Sequence, residues 1–151
     1  MKKLIPSAAV SLVALFPYST SAEIRRDDFR VAVEPGIELA VREVRDSALR
    51  ADKPPVIILH GARVPGLASF DLPVEGGSLT ADLARNGHRV FVIDARGYGG
   101  SSRPGEDGGS DRQPLTNSHE VVRDLVAVDA AVTGRTGARQ VALLGWATGG
   151  H

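Results

Sequence analysis

The 151-residue sequence contains no cysteine, which excludes disulfide bonds, thiolate metal ligands and cysteine nucleophiles. It also lacks an excess of either charge, since 18 lysines and arginines balance 18 aspartates and glutamates. Binding to nucleic acid or to an anionic membrane requires a concentrated basic surface, and this composition does not favour one. We therefore expect a small-molecule substrate as the partner, with no nucleic acid and no membrane.

The N-terminus has the order of features that is typical of a secretory signal peptide. Lys2 and Lys3 form a short basic region, an apolar stretch covers residues 4–16, and small residues at 20–22 precede a charged segment. The apolar stretch is interrupted by Pro6 and is shorter than the ~20 residues that a membrane span needs. These features predict a cleaved signal peptide over residues 1–22 and a secreted or periplasmic protein.

Apolar residues alternate with polar or small ones over residues 29–33 and 37–44, with turn-forming residues at 34–36. This pattern predicts an antiparallel hairpin with one solvated face. Unbroken apolar runs at residues 56–59, 90–93 and 141–144 are instead typical of parallel strands that helices cover on both faces.

Two helices are predicted between these runs. Ser78 can cap the first, which places Leu79 and Leu83 on one apolar face. The second begins at a capping-box pattern over residues 117–120 and ends before Gly134. Alternation of strands and helices predicts an α/β fold with a doubly wound, mostly parallel sheet and an N-terminal antiparallel hairpin.

Three loops follow the C-terminal ends of the apolar runs, where open α/β sheets bind ligands. They read H-G-A-R-V-P-G at 60–66, D-A-R-G-Y-G-G-S-S-R-P at 94–104 and G-W-A-T-G-G-H at 145–151. Together the loops resemble the α/β-hydrolase superfamily, in particular the branch of esterases, lipases, epoxide hydrolases and proline iminopeptidases. The resemblance implies that residues 23–151 are the N-terminal part of such a domain, an incomplete α/β-hydrolase fold that stops after the third loop.

The third loop resembles the nucleophile elbow, G-x-S-x-G, of this superfamily. Gly145 and Gly149 keep the spacing, so Ala147 stands at the nucleophile position, where the family would have serine, or aspartate in the epoxide hydrolases. Alanine has no oxygen that could attack a carbonyl carbon. Thr148 has a hydroxyl, but successive side chains of the elbow point in different directions, so we do not expect it to replace serine.

The resemblance also implies roles for the residues around the elbow. The two oxyanion-hole donors would be the backbone N–H groups of Ala62 and Thr148. A second set of matching positions would shape the loops rather than react: His60, Gly61, Asp94, Arg96 and Gly97. In this superfamily the acid and the histidine follow the nucleophile along the chain, so we expect both beyond residue 151 and expect this chain to be inactive as it stands.

The function implied is hydrolysis of a carboxylic ester, lactone or amide by a nucleophile, histidine and acid, with no metal and no cofactor. A non-catalytic protein that only binds its ligand stays open, as do an engineered serine-to-alanine change and a degenerate gene copy. A dehydrogenase is disfavoured, because the glycine-rich segment at 97–102 lacks the third glycine of a dinucleotide-binding loop. The sequence also has no phosphate-binding G-x-x-x-x-G-K motif and no histidine pair at metal-ligand spacing.

Overall fold

A computed structural model describes residues 23–103 and 116–150. The predicted signal peptide, Pro104 and His151 lie outside the described residues. The strands are β1 (Ile24–Glu34), β2 (Ile37–Asp46), β3 (Val56–Leu59), β4 (Val90–Ile93) and β5 (Ala142–Gly145). The helices are α1 (Gly66–Phe70), α2 (Leu79–Arg85) and α3 (Ser118–Thr136), and a short 3₁₀ turn covers Ala147–Gly150.

The five strands form one sheet in the order β1-β2-β4-β3-β5. β1 and β2 pair antiparallel, β2 pairs antiparallel with β4, and β3 runs parallel to both of its neighbours, β4 and β5. The predicted α/β sheet with an antiparallel hairpin at its start is therefore confirmed. Its parallel half carries the three loops of interest at one edge of the sheet, since parallel strands end on the same side.

The hairpin is longer than the alternation of apolar residues predicted. β1 begins at Ile24, and its first half is rich in charged residues. Hydrophobic periodicity therefore does not indicate a strand there. Ion pairs across the hairpin stabilise this part: Arg45 lies 2.9 Å from Asp27, and Arg42 lies 2.6 Å from Asp28. Cross-strand pairs of opposite charge are favourable in an antiparallel ladder.

Helix α2 starts where it was predicted, because the Ser78 side chain accepts a hydrogen bond from the backbone N–H of Ala81. The predicted apolar face is wrong in part. Leu79 is 41% exposed, whereas Thr80, Ala81 and Ala84 are buried against the sheet. Leu83 packs at the edge of the same core.

Helix α3 begins with the predicted capping box, in which the Asn117 side chain accepts from the N–H of Glu120 and the Glu120 carboxylate accepts from the N–H of Asn117. Its predicted end before Gly134 is wrong. Gly134 lies within the helix, and the helix ends at Gly137, which adopts a left-handed conformation with φ +71°. A glycine in that conformation is a common helix terminator, and the pattern alone could not choose between the two glycines.

The sheet is covered on both faces, as a doubly wound fold requires. On one face Val128 and Val132 of α3 pack against Ile57 and Phe91. On the other face the short helices pack against a second apolar cluster that is centred on Ile58. Among the described strands β5 lies at the edge of the sheet, and Leu143 in it is 64% exposed.

The α3 face of the sheet also buries a carboxylate. Glu43 in β2 is 1% exposed and accepts hydrogen bonds from Arg89 (2.7 Å) and Arg135 (2.8 Å), the latter in the last turn of α3. Burial raises the pKa of Glu43, and the hydrogen bonds from Arg135 and Arg89 lower it. The lowering is the larger effect, so the pKa lies below its usual range. The ion pairs hold the end of the helix against the hairpin.

Candidate active site at the loop after β5

The loop after β5 turns sharply at Ala147. This residue has φ +51°, a conformation that residues other than glycine rarely adopt, and it is the first residue of the 3₁₀ turn that follows β5. The turn is held by hydrogen bonds from the N–H of Trp146 to the carbonyl of Leu59 (3.1 Å) and from the N–H of Gly149 to the carbonyl of Trp146 (2.9 Å). A strained strand-to-helix turn of this kind presents one side chain above the sheet.

Glycine is needed at positions 145 and 149 because other backbone atoms lie where a Cβ atom would be. A Cβ atom on Gly145 would collide with the carbonyl oxygen of Gly149, and one on Gly149 would collide with the carbonyl oxygen of His60. Gly61 faces the elbow from the loop after β3, where a Cβ would come within 2.9 Å of the Ala147 methyl carbon. The three glycines thus let two loops approach each other around residue 147.

The structure brings the two expected oxyanion-hole residues together, in an arrangement that the sequence did not predict. The backbone N–H of Ala62 donates a hydrogen bond of 2.8 Å to Oγ1 of Thr148. The Thr148 side chain therefore points to the loop after β3, and its hydroxyl occupies the N–H that the resemblance assigns to a substrate oxygen. No sequence motif signals this contact, because it joins residues 86 positions apart.

His60 is buried and is bonded to the backbone through both ring nitrogens. Its Nε2 accepts from the N–H of Ala95 at 3.0 Å, which places the proton on Nδ1, and Nδ1 lies 2.5 Å from the carbonyl oxygen of Gly61. The ring also packs edge-on against Tyr98, with the ring centroids 4.9 Å apart. The ring joins the loop after β3 to the loop after β4, and neither nitrogen is left to take a proton from a nucleophile.

Asp94 has a similar linking position at the end of β4. One carboxylate oxygen accepts from the N–H of Gly66 (2.8 Å) and the other from the N–H of Gly100 (2.9 Å). The tight turn beyond it needs Gly97, which has φ +83° and donates its N–H to the carbonyl of Ser102 at 2.8 Å. Asp94 therefore orders both the start of α1 and the turn beside the site.

Arg96 is 2% exposed and spans from the turn to α3 and the hairpin. Its guanidinium donates two hydrogen bonds to the Asp124 carboxylate, one of them at 2.9 Å, and one of 2.7 Å to Glu34. The hydrogen bond to Asp124 raises the pKa of Arg96, and Arg96 in turn lowers the pKa of Glu34. The guanidinium is thus saturated by carboxylates and is not available to an anionic ligand.

Two cavities lie on either side of the loop formed by Gly61 and Ala62. The cavity of about 480 Å³ contains Ala147, and we call it the Ala147 cavity. The other, of about 370 Å³, lies toward α3 and contains Thr148 and the His60 ring. Sequence reasoning missed the residues that complete the Ala147 cavity: Val64, Ser69, Phe70, Leu79 and Trp146.

Residues 23–103 and 116–150 have neither a metal-binding cluster nor a membrane-spanning helix. No group of three or more histidine, aspartate or glutamate side chains there could hold a metal ion. Within the same ranges, no helix is both long enough and apolar enough to cross a membrane.

The comparisons with known proteins identify the family. The family model described as alpha/beta hydrolase fold matches residues 54–151, about two thirds of the chain, and the protein belongs to this family. A search of curated proteins found no match.

Several solved structures share the fold. An acetyl xylan esterase from Paenibacillus sp. R4 is 20% identical with a TM-score of 0.61, and the match covers 94% of this chain and 46% of that one. An esterase from Pyrococcus furiosus is 18% identical with a TM-score of 0.59, and the match covers 92% and 46%. A bacterial brefeldin A esterase is 19% identical with a TM-score of 0.58, and the match covers 92% and 36%. The chain spans less than half the length of each of these three proteins.

Proposed function

We propose that the complete protein belongs to a lineage of hydrolases that cleave carboxylic esters, lactones or amides, with residue 147 as the nucleophile position. The observation that carries the proposal is the conformation of Ala147, which has φ +51° between two glycines that admit no side chain. A protein keeps such a strained turn where one side chain must stand clear of the sheet.

In a relative with serine at this position, the hydroxyl oxygen would attack the carbonyl carbon and pass its proton to a histidine base. The carbonyl oxygen would gain negative charge, and the N–H groups of Ala62 and Thr148 would stabilise it. Protonation of the leaving alcohol or amine would give an acyl-enzyme, which water then hydrolyses. His60 is not assigned as the base, since both of its ring nitrogens contact backbone groups, and the resemblance places the histidine and the acid after residue 147 along the chain.

A second candidate function is ligand binding without catalysis, and the methyl group of Ala147 favours it. The oxyanion donors are backbone groups, so they do not depend on the side chain at position 147. Such a protein would bind a carbonyl compound and release it unchanged. This candidate and the hydrolase predict opposite results when a serine is introduced.

The test is to express the complete gene product with Ala147→Ser and to measure hydrolysis of p-nitrophenyl esters, lactones and aminoacyl amides. Because removing a serine nucleophile can cost about 10⁶ in kcat, we expect the variant to gain several orders of magnitude over the unsubstituted protein if the rest of the machinery is present. Ala51→Ser is the matched control, since Ala51 is exposed and lies outside the site. A folded variant with no turnover on any of the three classes would contradict the hydrolase proposal and favour the binding protein.

We further propose that the protein is exported and loses residues 1–22. Expression in a Gram-negative host, followed by N-terminal sequencing, should give a product outside the cytoplasm that begins near Glu23. A cytoplasmic product that begins at Met1 would contradict this proposal.

A further inference from the structure

We propose that the Ala147 cavity binds an uncharged alkyl or aryl group next to the substrate carbonyl, so that the substrates are neutral apolar esters rather than amino-acid derivatives or dicarboxylates. This inference rests on the proposed function and narrows its substrate class. It is carried by the chemistry of the cavity lining and by the hydrogen bonds that its few polar groups already make.

The lining is apolar. Phe70 is buried at 7% exposure, and three large apolar side chains remain open to solvent around the cavity: Val64 (47%), Leu79 (41%) and Trp146 (65%). Of the described residues that line the cavity, none is charged. At about 480 Å³ the cavity lies within the range of small-molecule sites.

No polar side chain of the lining offers a charge. Ser69 carries the one hydroxyl among the described lining residues and donates it to the carbonyl of Pro65 at 3.0 Å, and the indole N–H of Trp146 is an uncharged donor. The N–H of Ala62 is bonded to Thr148, and Asp94 beneath α1 is bonded to the N–H groups of two glycines. An ammonium or carboxylate group placed here would lose its water without gaining a partner of opposite charge.

The placement of Leu79 gives separate support. This residue begins α2, where the sequence predicts a core-facing leucine, yet alanines and a threonine fill the core and Leu79 faces the cavity. Together with Trp146, which directly precedes the nucleophile position, it forms an apolar surface beside Ala147. A large apolar surface in a concave site next to a strained turn is typical of ligand binding.

The test uses the chain as it exists, because Ala147 leaves an ester intact. Trp146 is the only tryptophan, so fluorescence excited selectively at tryptophan and not at the two tyrosines reports on this cavity. Three probes share one chain length: ethyl hexanoate is neutral, ethyl 6-aminohexanoate ends in an ammonium group, and monoethyl adipate ends in a carboxylate. We expect ethyl hexanoate to give a saturable blue shift, and each charged probe to bind at least about tenfold more weakly, because its charge would be desolvated and unpaired.

Matched variants show whether the shift arises in this cavity. Leu79→Lys places a charge in the lining and should weaken ethyl hexanoate binding at least about tenfold, again through an unpaired charge. Leu49→Lys makes the same change at a leucine of similar exposure (48%) in the turn after β2, and should leave the affinity unchanged.

The inference would be overturned if ethyl hexanoate gave no saturable shift, if a charged probe bound as tightly, or if the two lysine variants behaved alike. These results are separable from a failure of the proposed function. Turnover of charged substrates by the Ala147→Ser protein, with no ethyl hexanoate binding, would overturn the substrate class and keep the hydrolase. Binding of ethyl hexanoate as expected, with no turnover by the serine variant, would overturn hydrolysis alone.

Discussion

The hydrogen bond between Ala62 and Thr148 predicts that the threonine hydroxyl competes with a ligand for the N–H of Ala62, the proposed oxyanion donor. The N–H of Ala62 lies 2.8 Å from Oγ1 of Thr148, so a ligand oxygen must displace the hydroxyl to reach the same hydrogen. A hydrogen bond of this kind contributes about 0.5–1.5 kcal/mol net, which corresponds to a factor of roughly 2 to 10 in affinity. Removing the hydroxyl should therefore tighten the binding of an anionic oxygen by about this factor.

The assay is a titration with butylphosphonate, whose anionic oxygens resemble those of a tetrahedral intermediate. The backbone amide resonance of Ala62 in nitrogen-15 NMR spectra reports both its hydrogen bond and the bound probe. Thr148→Ala removes the competing oxygen and its bulk, and should bind the probe more tightly than the unsubstituted chain. Thr148→Ser keeps the hydroxyl, and should show no such gain because its oxygen can still accept from the N–H of Ala62.

The reasoning would be refuted if Thr148→Ala bound butylphosphonate more weakly than the unsubstituted chain. The hydroxyl would then be a ligand contact rather than a competitor. Equal gains for Thr148→Ala and Thr148→Ser would also refute it, since loss of the threonine methyl group and not of the hydroxyl would then decide the affinity. Thermal unfolding of both variants controls for a loosened loop.

Two further predictions concern stability. Burial raises the pKa of Asp71, but the hydrogen bonds from Arg26 and from two hydroxyls lower it by more, so the pKa in the folded protein lies below that in the unfolded chain. The stabilisation that the ionised Asp71 gives the folded protein is therefore lost as pH falls below about 4. Asp71→Asn should cost about 1–3 kcal/mol at pH 7, because the partly exposed Arg26 and Arg42 can regain water, and should flatten the dependence of denaturant unfolding on pH below 4; an unchanged slope would contradict this. Gly149→Ala should destabilise by about 1–3 kcal/mol through collision with the His60 carbonyl. Gly134→Ala, in open space within a helix, should stabilise the protein by up to about 1 kcal/mol. Equal effects of the two changes in thermal unfolding would contradict the close backbone contact at Gly149.

Local patterns in the sequence determined most of the framework of this protein. The apolar runs predicted β3 and β4 to the residue, and Ser78 and Asn117 predicted where two helices begin. These features were readable because strand burial and helix capping depend on neighbours within a few positions. The glycine spacing around Ala147, through its resemblance to the nucleophile elbow, predicted a sharp turn where Ala147 has φ +51°, because a backbone that must turn sharply restricts residue types locally.

The tertiary structure alone decided what surrounds the elbow. Residues that are distant in sequence form the hydrogen bond from Ala62 to Thr148 and the ion pair of the buried Asp71 with Arg26. The exposure of Leu79 likewise depends on which residues pack beneath α2. Helix α1 was also missed, because it has five residues and no side-chain cap at its start. Each of these features depends on how the two faces of the sheet are packed, and packing between distant segments leaves no periodic signal in the chain.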